Sequence, residues 1–171
     1  MKNIAVLAAL VCTFVVMGQD SMSTDFTRPE SAKNWIFDGS PKNMPALKYG
    51  YDAEKKAFAV NNNDSKRNAY FKCPGRYVAA EKGNVIHVSF EACGNGRIFL
   101  TYECFSGVKW TGMGTRSKKT FQLKEEWTKF EDDLVVKDCK NLPTTKVMMD
   151  FCVMASGNML IRSFSAVKAA K

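Results

Sequence analysis

The C-terminal half of the chain alternates apolar and polar residues in short runs, beginning at Asn84. A period of two residues over roughly six to ten positions is typical of strands that bury one face and leave the other in water. No stretch of helical period lies between the runs, so we expect the strands to pair mostly antiparallel. The sequence therefore predicts an all-β protein in which two antiparallel sheets pack as a β-sandwich.

The clearest strand covers residues 85–93, whose polar face is formed by His87, Ser89 and Glu91. The glycine-rich segment 94–96 predicts a hairpin turn. Residues 97–105 then form the returning strand, with Thr101 and Glu103 on its polar face. Further strands are predicted at residues 56–60, 69–73, 120–123, 128–130, 134–136, 146–154 and 159–167.

Residues 1–18 have the features of a cleavable signal peptide. Lys2 supplies a positive charge, an apolar run follows, and Gly18 is a small residue before a cut at Gln19. The run is shorter than the ~20 residues that a membrane-spanning helix needs. We therefore expect no membrane span, and a protein that is secreted or periplasmic.

Three segments follow from this pattern: a signal peptide at 1–18, a polar and flexible leader at 19–34, and a single β-sandwich domain at 35–171. The first strong apolar cluster begins at Trp35, which we expect to be a core anchor.

The cysteines fit export but leave their pairing open. Outside the predicted signal, the chain has Cys73, Cys93, Cys104, Cys139 and Cys152. An odd number implies at least one free or intermolecular thiol, and spacing does not determine which of them form disulfides. With one histidine and no Cys-x-x-Cys motif, a zinc site is not expected.

The chain has a formal net charge of +8, with its lysines and arginines spread through the predicted loops. Such a surface can attract acidic polysaccharide, or it can simply be solvated. No basic helix or RNA-binding aromatic motif accompanies the charge, so we expect no nucleic-acid partner.

The order of features from Tyr70 to Val167 resembles the galactose-binding-like jelly rolls, especially carbohydrate-binding modules of the family four and nine type. The matching pieces are Cys73-Pro74-Gly75, the strand at 86–92, its partner at 97–102, the Leu-x-x-x-Trp-x-x-Phe arrangement at 123–130, and the closing strands at 146–153 and 159–167. In that arrangement Trp127 would have a structural role, burying a large area at the sandwich edge and closing the core. The resemblance implies a jelly-roll sandwich that binds poly- or oligosaccharide without catalysis.

The structural calcium of many such modules depends on acidic residues that the last strand here lacks, because it reads Leu160-Ile161-Arg162-Ser163-Phe164. We therefore expect neither a metal nor a cofactor.

Sugar recognition needs flat aromatic surfaces and groups that hydrogen-bond hydroxyls. Trp110 is the first candidate, because it lies in the glycine-rich segment 106–119, which is predicted to be a loop. Tyr49 and Tyr51 are predicted in another loop. His87, Glu91 and Glu103 would supply polar partners if the wet faces of the two central strands formed one groove.

Two alternatives remain open from the sequence. Glu91 and Glu103 could face each other across the predicted hairpin as a catalytic carboxylate pair, although no other catalytic motif is present and we do not expect an enzyme. The same sandwich could instead be a structural or protein-interaction module of the exported envelope, with a partner protein and no sugar site.

Overall fold

The computed structural model describes residues 19–170, and the predicted signal peptide lies outside this range. These residues form thirteen strands and one short helix. In chain order they are β1 (Ser21–Asp25), α1 (Pro29–Ala32), β2 (Ile36–Phe37), β3 (Leu47–Asp52), β4 (Ala57–Asn62), β5 (Ala69–Lys72), β6 (Val78–Ala79), β7 (Val85–Asn95), β8 (Arg97–Ser106), β9 (Lys109–Met113), β10 (Phe121–Gln122), β11 (Thr128–Val135), β12 (Lys146–Val153) and β13 (Gly157–Lys168). A single 3-10 turn lies at Pro41–Asn43.

The strands form two antiparallel sheets. The first sheet has the order β11-β7-β13-β4-β3, with β1 also on β13, and the second has the order β10-β8-β12-β5-β2, with β6 on β12 and β9 on β8. The predicted all-β two-sheet sandwich is confirmed. Within residues 19–170, no helix is both long enough and apolar enough to cross a membrane.

The core lies between the sheets and is filled by alternate residues of each strand. In β8, Leu100, Tyr102 and Cys104 are fully buried on the core side. Trp35, with only 2% of its surface exposed, confirms the predicted core anchor, and its indole nitrogen donates to Thr24 Oγ1 at 3.2 Å. Its ring stacks on Phe151 at 5.0 Å, so the core holds an aromatic cluster whose burial is a main source of stability.

The predicted hairpin between β7 and β8 is wrong. The two strands are consecutive but belong to different sheets, so the turn at Gly96 crosses from one layer to the other. Gly94 and Gly96 both have positive φ, and a Cβ at Gly94 would collide with the backbone oxygen of Asn158. A glycine-rich turn can connect two strands of one sheet, as in a hairpin, or two strands of different sheets. The flanking strands alternate apolar and polar residues in either case, so the sequence does not distinguish the two connections.

The predicted flexible leader is also corrected. Residues 21–25 form β1, which pairs with the end of β13, and Met22, Thr24 and Phe26 are buried at alternate positions. The buried side chains of Met22 and Phe26 anchor this segment, although the residues between them are polar. The predicted domain bounds of 35–171 therefore omit β1, which belongs to the sandwich. That the chain has a single domain stays a prediction.

Three aromatic positions also differ from expectation. Trp110 lies in β9, and Tyr49 and Tyr51 lie in β3, so none of the three is in a loop. β3 and β9 are edge strands held by backbone pairing, which does not require strict apolar alternation. Trp127 is half-buried beneath Arg162, outside the core, so it does not close the core as predicted.

Candidate functional site

The outer face of the second sheet brings together the most unusual polar groups of the molecule. Register places Asp150 of β12 between Thr101 of β8 and Lys72 of β5. One row along, Cys152 lies between Phe99 and Tyr70 in the same way. Because paired residues of antiparallel strands project from the same face, these side chains form one continuous surface.

A charged cluster occupies the centre of this face. Lys72 Nζ lies 2.8 Å from Asp38 Oδ1 and 2.8 Å from Glu103 Oε1, so one cation binds two carboxylates. Glu103 is only 4% exposed. Burial lowers the pKa of Lys72, but the hydrogen bonds to Asp38 and Glu103 outweigh it and leave the pKa raised. The ammonium group is therefore fixed in place and charged.

Asp150 lies beside this cluster without a hydrogen bond. It is 1% exposed, and neither carboxyl oxygen has a partner among residues 19–170. Burial, followed by the nearby negative charge of Glu103, raises the pKa of Asp150 to about 8. At neutral pH the group is therefore a carboxylic acid that can both donate and accept. The buried carboxyl therefore has hydrogen-bonding capacity that no residue from 19 to 170 uses.

A recess of about 420 Å³ opens at one end of the cluster. Asp38, Tyr70, Phe99, Thr101 and Arg116 contribute to its lining. The rings of Tyr70 and Phe99 meet edge to face at 5.8 Å, and the guanidinium carbon of Arg116 lies 3.6 Å from the centroid of Phe99. This end therefore combines aromatic surface with hydrogen-bonding groups.

A second aromatic group lies at the other end of the face. Tyr77 and Phe105 pack edge to face at 5.1 Å, and Lys146 Nζ lies 4.1 Å from the centroid of Tyr77. Trp110 is opposite Phe105 on the edge strand β9, is 46% exposed, and has Lys140 Nζ 4.5 Å from its ring. From Phe99 to Phe105 the strand extends about 20 Å. The outward side chains of this stretch are themselves buried, so the face is accessible at the recess and at Trp110.

Two of the six predicted site residues belong to this surface. Glu103 lies in its centre and Trp110 at its edge. His87 and Glu91 project from β7 on the outer face of the first sheet, on the opposite side of the sandwich. The predicted groove shared by the two strand faces is therefore wrong, and so is the catalytic pair of Glu91 and Glu103 across a hairpin.

His87 and Glu91 already have partners. His87 Nδ1 lies 2.8 Å from Asp133 Oδ1. Arg162 Nε donates to Glu91 Oε2 at 2.6 Å, a hydrogen bond that holds the pKa of Glu91 below its ordinary value. These contacts are those of an ordinary charged sheet surface.

Tyr49 and Tyr51 direct their rings toward the core side of β3. Tyr49 packs on Phe71 at 5.1 Å, and the hydroxyl of Tyr51 donates to the Thr27 carbonyl at 2.9 Å. A depression of about 660 Å³ lies nearby on the outer face of the first sheet. Tyr49 and Tyr51 are among the residues that line it, together with Gly50, Ala59 and Leu160. This depression is larger than the recess, and Tyr49 is 42% exposed beside it. We consider the second-sheet face the better site, because it combines aromatic rings with the buried carboxyl of Asp150, which has no partner among residues 19–170.

Lys72, Asp150 and Arg116 are not among the site residues predicted from the sequence. The alternation of residues 146–154 does place Asp150 on the face opposite the core, where a lone acid between Met148 and Cys152 is unusual. That feature could have identified Asp150. Lys72 and Arg116 could not be identified, because their position depends on which strands are neighbours.

Comparison with known proteins supports the fold at low sequence identity. No protein-family model and no curated protein sequence matches the chain. Among solved structures, the CBM1 module of BiXyn10A has a TM-score of 0.57 and 11% identity, covering 90% of this chain and 100% of that chain. The CBM22-1 xylan-binding domain of Paenibacillus barcinonensis Xyn10C has a TM-score of 0.56 and 13% identity, covering 90% and 98%.

A third structure is CBM6cm-2 of Cellvibrio mixtus lichenase 5A, in complex with cellotriose, with a TM-score of 0.51 and 10% identity, covering 87% and 98%. The resemblance predicted from the sequence is thus confirmed at the level of fold, while the matches extend over several module families. The chain has the β-sandwich fold of carbohydrate-binding modules.

Proposed function

We propose that this protein is a non-catalytic carbohydrate-binding module and that its glycan lies along the outer face of the second sheet. The observation that carries the proposal is the arrangement on that face: aromatic groups at both ends, with hydrogen-bonding groups between them. The fold is shared with modules whose solved complexes contain sugars, such as cellotriose.

The arrangement suits a sugar chain in physical terms. Aromatic rings cover the C–H surface of a pyranose, while carboxyl and ammonium groups bind its hydroxyls. Asp150 and Thr101 lie next to each other in the middle of the face, and Asp150 has hydrogen-bonding capacity that no residue from 19 to 170 uses. A hydroxyl group that reached Asp150 would satisfy a buried polar group, which is worth more than an exposed contact.

A structural or protein-interaction module remains the second candidate. It is favoured by the outer face of the first sheet, where ion pairs such as Arg162 with Glu91 form a charged surface. That surface and the second-sheet face are on opposite sides of the sandwich, so the two candidates predict different sites.

The test is a glycan-array screen of the purified protein, followed by calorimetry on the best ligand. We expect Trp110→Ala to weaken binding about tenfold, equivalent to ~1.4 kcal/mol, because it removes aromatic surface at the edge of the site. Asp38→Asn should weaken binding as well, since Asp38 lines the recess and holds Lys72.

Trp127→Ala is the matched control, because this tryptophan is half-buried beside Arg162 on the other side of the sandwich. It should leave affinity unchanged. A folded protein that binds no glycan would overturn the proposal in favour of the interaction module. Loss of binding in Trp127→Ala but not in Trp110→Ala would move the site to the first sheet.

We further propose that the protein is exported, with residues 1–18 as the cleaved signal, and that Cys104 and Cys139 form a disulfide on export. Residues 19–170 contain five free cysteines, and the Sγ atoms of these two are 2.8 Å apart. The two thiols would lose two protons and two electrons to a thiol–disulfide oxidant of the export compartment. Burial and the neighbouring Cys139 raise the pKa of Cys104 to about 12, so closure during folding is favoured over later reaction.

Mass spectrometry of the exported protein tests both statements. We expect a chain that begins at Gln19, and a Cys104–Cys139 peptide pair lighter by two hydrogen atoms than the reduced pair. Cys73, Cys93 and Cys152 serve as internal controls and should be alkylated as free thiols after unfolding. Detection of free Cys104 in the exported, unfolded protein would contradict the disulfide.

A further inference from the structure

Each aromatic group of the second-sheet face has a cation over one of its rings, although the ring covered in the Tyr70–Phe99 group is the buried Phe99. Arg116 covers Phe99 at 3.6 Å, Lys146 covers Tyr77 at 4.1 Å and Lys140 covers Trp110 at 4.5 Å. The three cations come from three different segments of the chain. They lie at both ends of the face and leave its centre to Lys72 and its two carboxylates.

These three cations are not neutralised by acidic side chains. Within residues 19–170, Arg116, Lys140 and Lys146 take part in no salt bridge, and the side-chain hydrogen bond of Arg116 goes to Thr120 Oγ1 at 3.0 Å. Lys72 differs from them, because it contacts both Asp38 and Glu103. The unpaired charge on this face is therefore positive and lies above the aromatic rings.

A cation over a ring changes which ligand the ring can take. A neutral pyranose stacks on a bare aromatic face, so on these faces it would first have to displace the cation and lose the cation–π attraction. An anionic group would instead pair with the cation by charge-assisted hydrogen bonds while the ring stays beneath it.

The acidic side chains of the second-sheet face do not offset the preference of these cations for an anionic ligand. Asp38 and Glu103 share Lys72, and Asp150 is held as a neutral acid at neutral pH. The formal net charge of +8 over the whole chain also favours the approach of an anionic chain.

We propose that the glycan bound on the second-sheet face is anionic, and that its carboxylate or sulfate groups pair with Arg116, Lys140 and Lys146. This inference rests on the proposed carbohydrate-binding function and specifies the class of ligand. Carboxylate and sulfate groups share one chemistry here, because each is an oxyanion that pairs with a cation lying over an aromatic ring.

The test compares matched glycans that differ in charge. The probes are polygalacturonate against its fully methyl-esterified form, and dextran sulfate against dextran, each measured by calorimetry at low and high salt. We expect at least one acidic probe to bind ten times or more tighter than its neutral counterpart, with affinity that falls as salt rises. The preferred pair distinguishes uronate from sulfate.

Charge-removing variants separate a specific site from the general positive charge. The triple variant Arg116→Gln/Lys140→Gln/Lys146→Gln should lose most of the binding to the acidic probe. The control triple variant Arg28→Gln/Lys33→Gln/Lys129→Gln removes the same charge from other surfaces and should keep it. Equal losses in the two triple variants would overturn the site, because binding would then follow net charge alone.

The remaining outcomes separate this inference from the proposed function. Salt-resistant binding to neutral xylan or dextran that is lost in Trp110→Ala would overturn the anionic ligand but keep the carbohydrate-binding module. A folded protein that binds neither acidic nor neutral glycans would overturn both.

Discussion

At the scale of single residues, the buried carboxyl of Asp150 connects the site to stability. The folded protein holds its proton up to a pKa of about 8, whereas the ordinary value is 3.8. Between these two values the folded state binds more protons than the unfolded state. Stability must therefore fall as pH rises through this window, and it is fully present only below the ordinary value.

We expect Asp150→Asn to remove this dependence. The wild-type protein should lose up to ~1.4 kcal/mol of unfolding free energy per pH unit across the window, and the variant should show a shallower slope and greater stability near the upper end. Urea unfolding at a series of pH values measures both. Glu125→Gln, the same acid-to-amide change on an exposed side chain, should follow the wild type; equal slopes for Asp150→Asn and wild type would contradict the assignment.

For Glu103, the sequence predicts the face of its strand but not its partner. The face to which Glu103 belongs could be predicted, because Phe99, Thr101 and Phe105 alternate with core residues along one strand. Its partner Lys72 is 31 positions away in the sequence. The two residues meet because β12 lies between β8 and β5 in the sheet. A contact of that kind depends on strand order, which alternation does not specify.

At the scale of elements, β1 shows how a polar segment becomes part of the fold. Phe26, just after β1, packs on Trp35 and Phe58, each at 5.5 Å between ring centroids. We expect Phe26→Ala to destabilise the protein by about 3–5 kcal/mol, the usual cost of deleting a fully buried aromatic ring. Ser21→Ala, on the exposed side of the same strand, should cost little.

Denaturant unfolding of these two variants tests whether residues 19–34 belong to the cooperative unit. A small effect of Phe26→Ala, equal to that of Ser21→Ala, would show that the segment frays independently. Such a result would restore the flexible leader that the sequence predicts.

The existence of β7, β8, β12 and β13 could be predicted from the sequence, because apolar residues recur at alternate positions over most of each strand. The neighbours of each strand could not. The turn at Gly96 crosses between sheets, and backbone pairing of β9 to β8 depends on an open strand edge that only the assembled sheet provides.

At the scale of the whole molecule, the two outer faces of the sandwich differ in character. The first-sheet face carries paired charges such as Arg162 with Glu91, and the second-sheet face carries the recess and the unpaired cations. Because the hydrophobic core separates them, a ligand on one face makes no contact with the other.

We expect attachment through the first-sheet face to leave glycan binding intact. A polymer coupled to Lys129→Cys should not change affinity, because Lys129 lies in β11 with an exposed side chain. The same polymer coupled to Thr115→Cys, next to Arg116 at the recess, should block binding. Calorimetry after coupling measures both, and block by the Lys129→Cys conjugate would argue against a site on the second sheet.

The crossing from β7 to β8 has a consequence for recognising distant relatives. A Cβ at Gly96 would lie 2.7 Å from Gly157 Cα, and one at Gly94 would collide with Asn158, so two glycine turns touch at one end of the sandwich. Any protein that keeps this crossing must leave these positions free of side chains, however far its surface has diverged. A Gly-x-Gly followed much later by a glycine at the start of the last long strand is therefore a fixed point from which such sequences can be aligned.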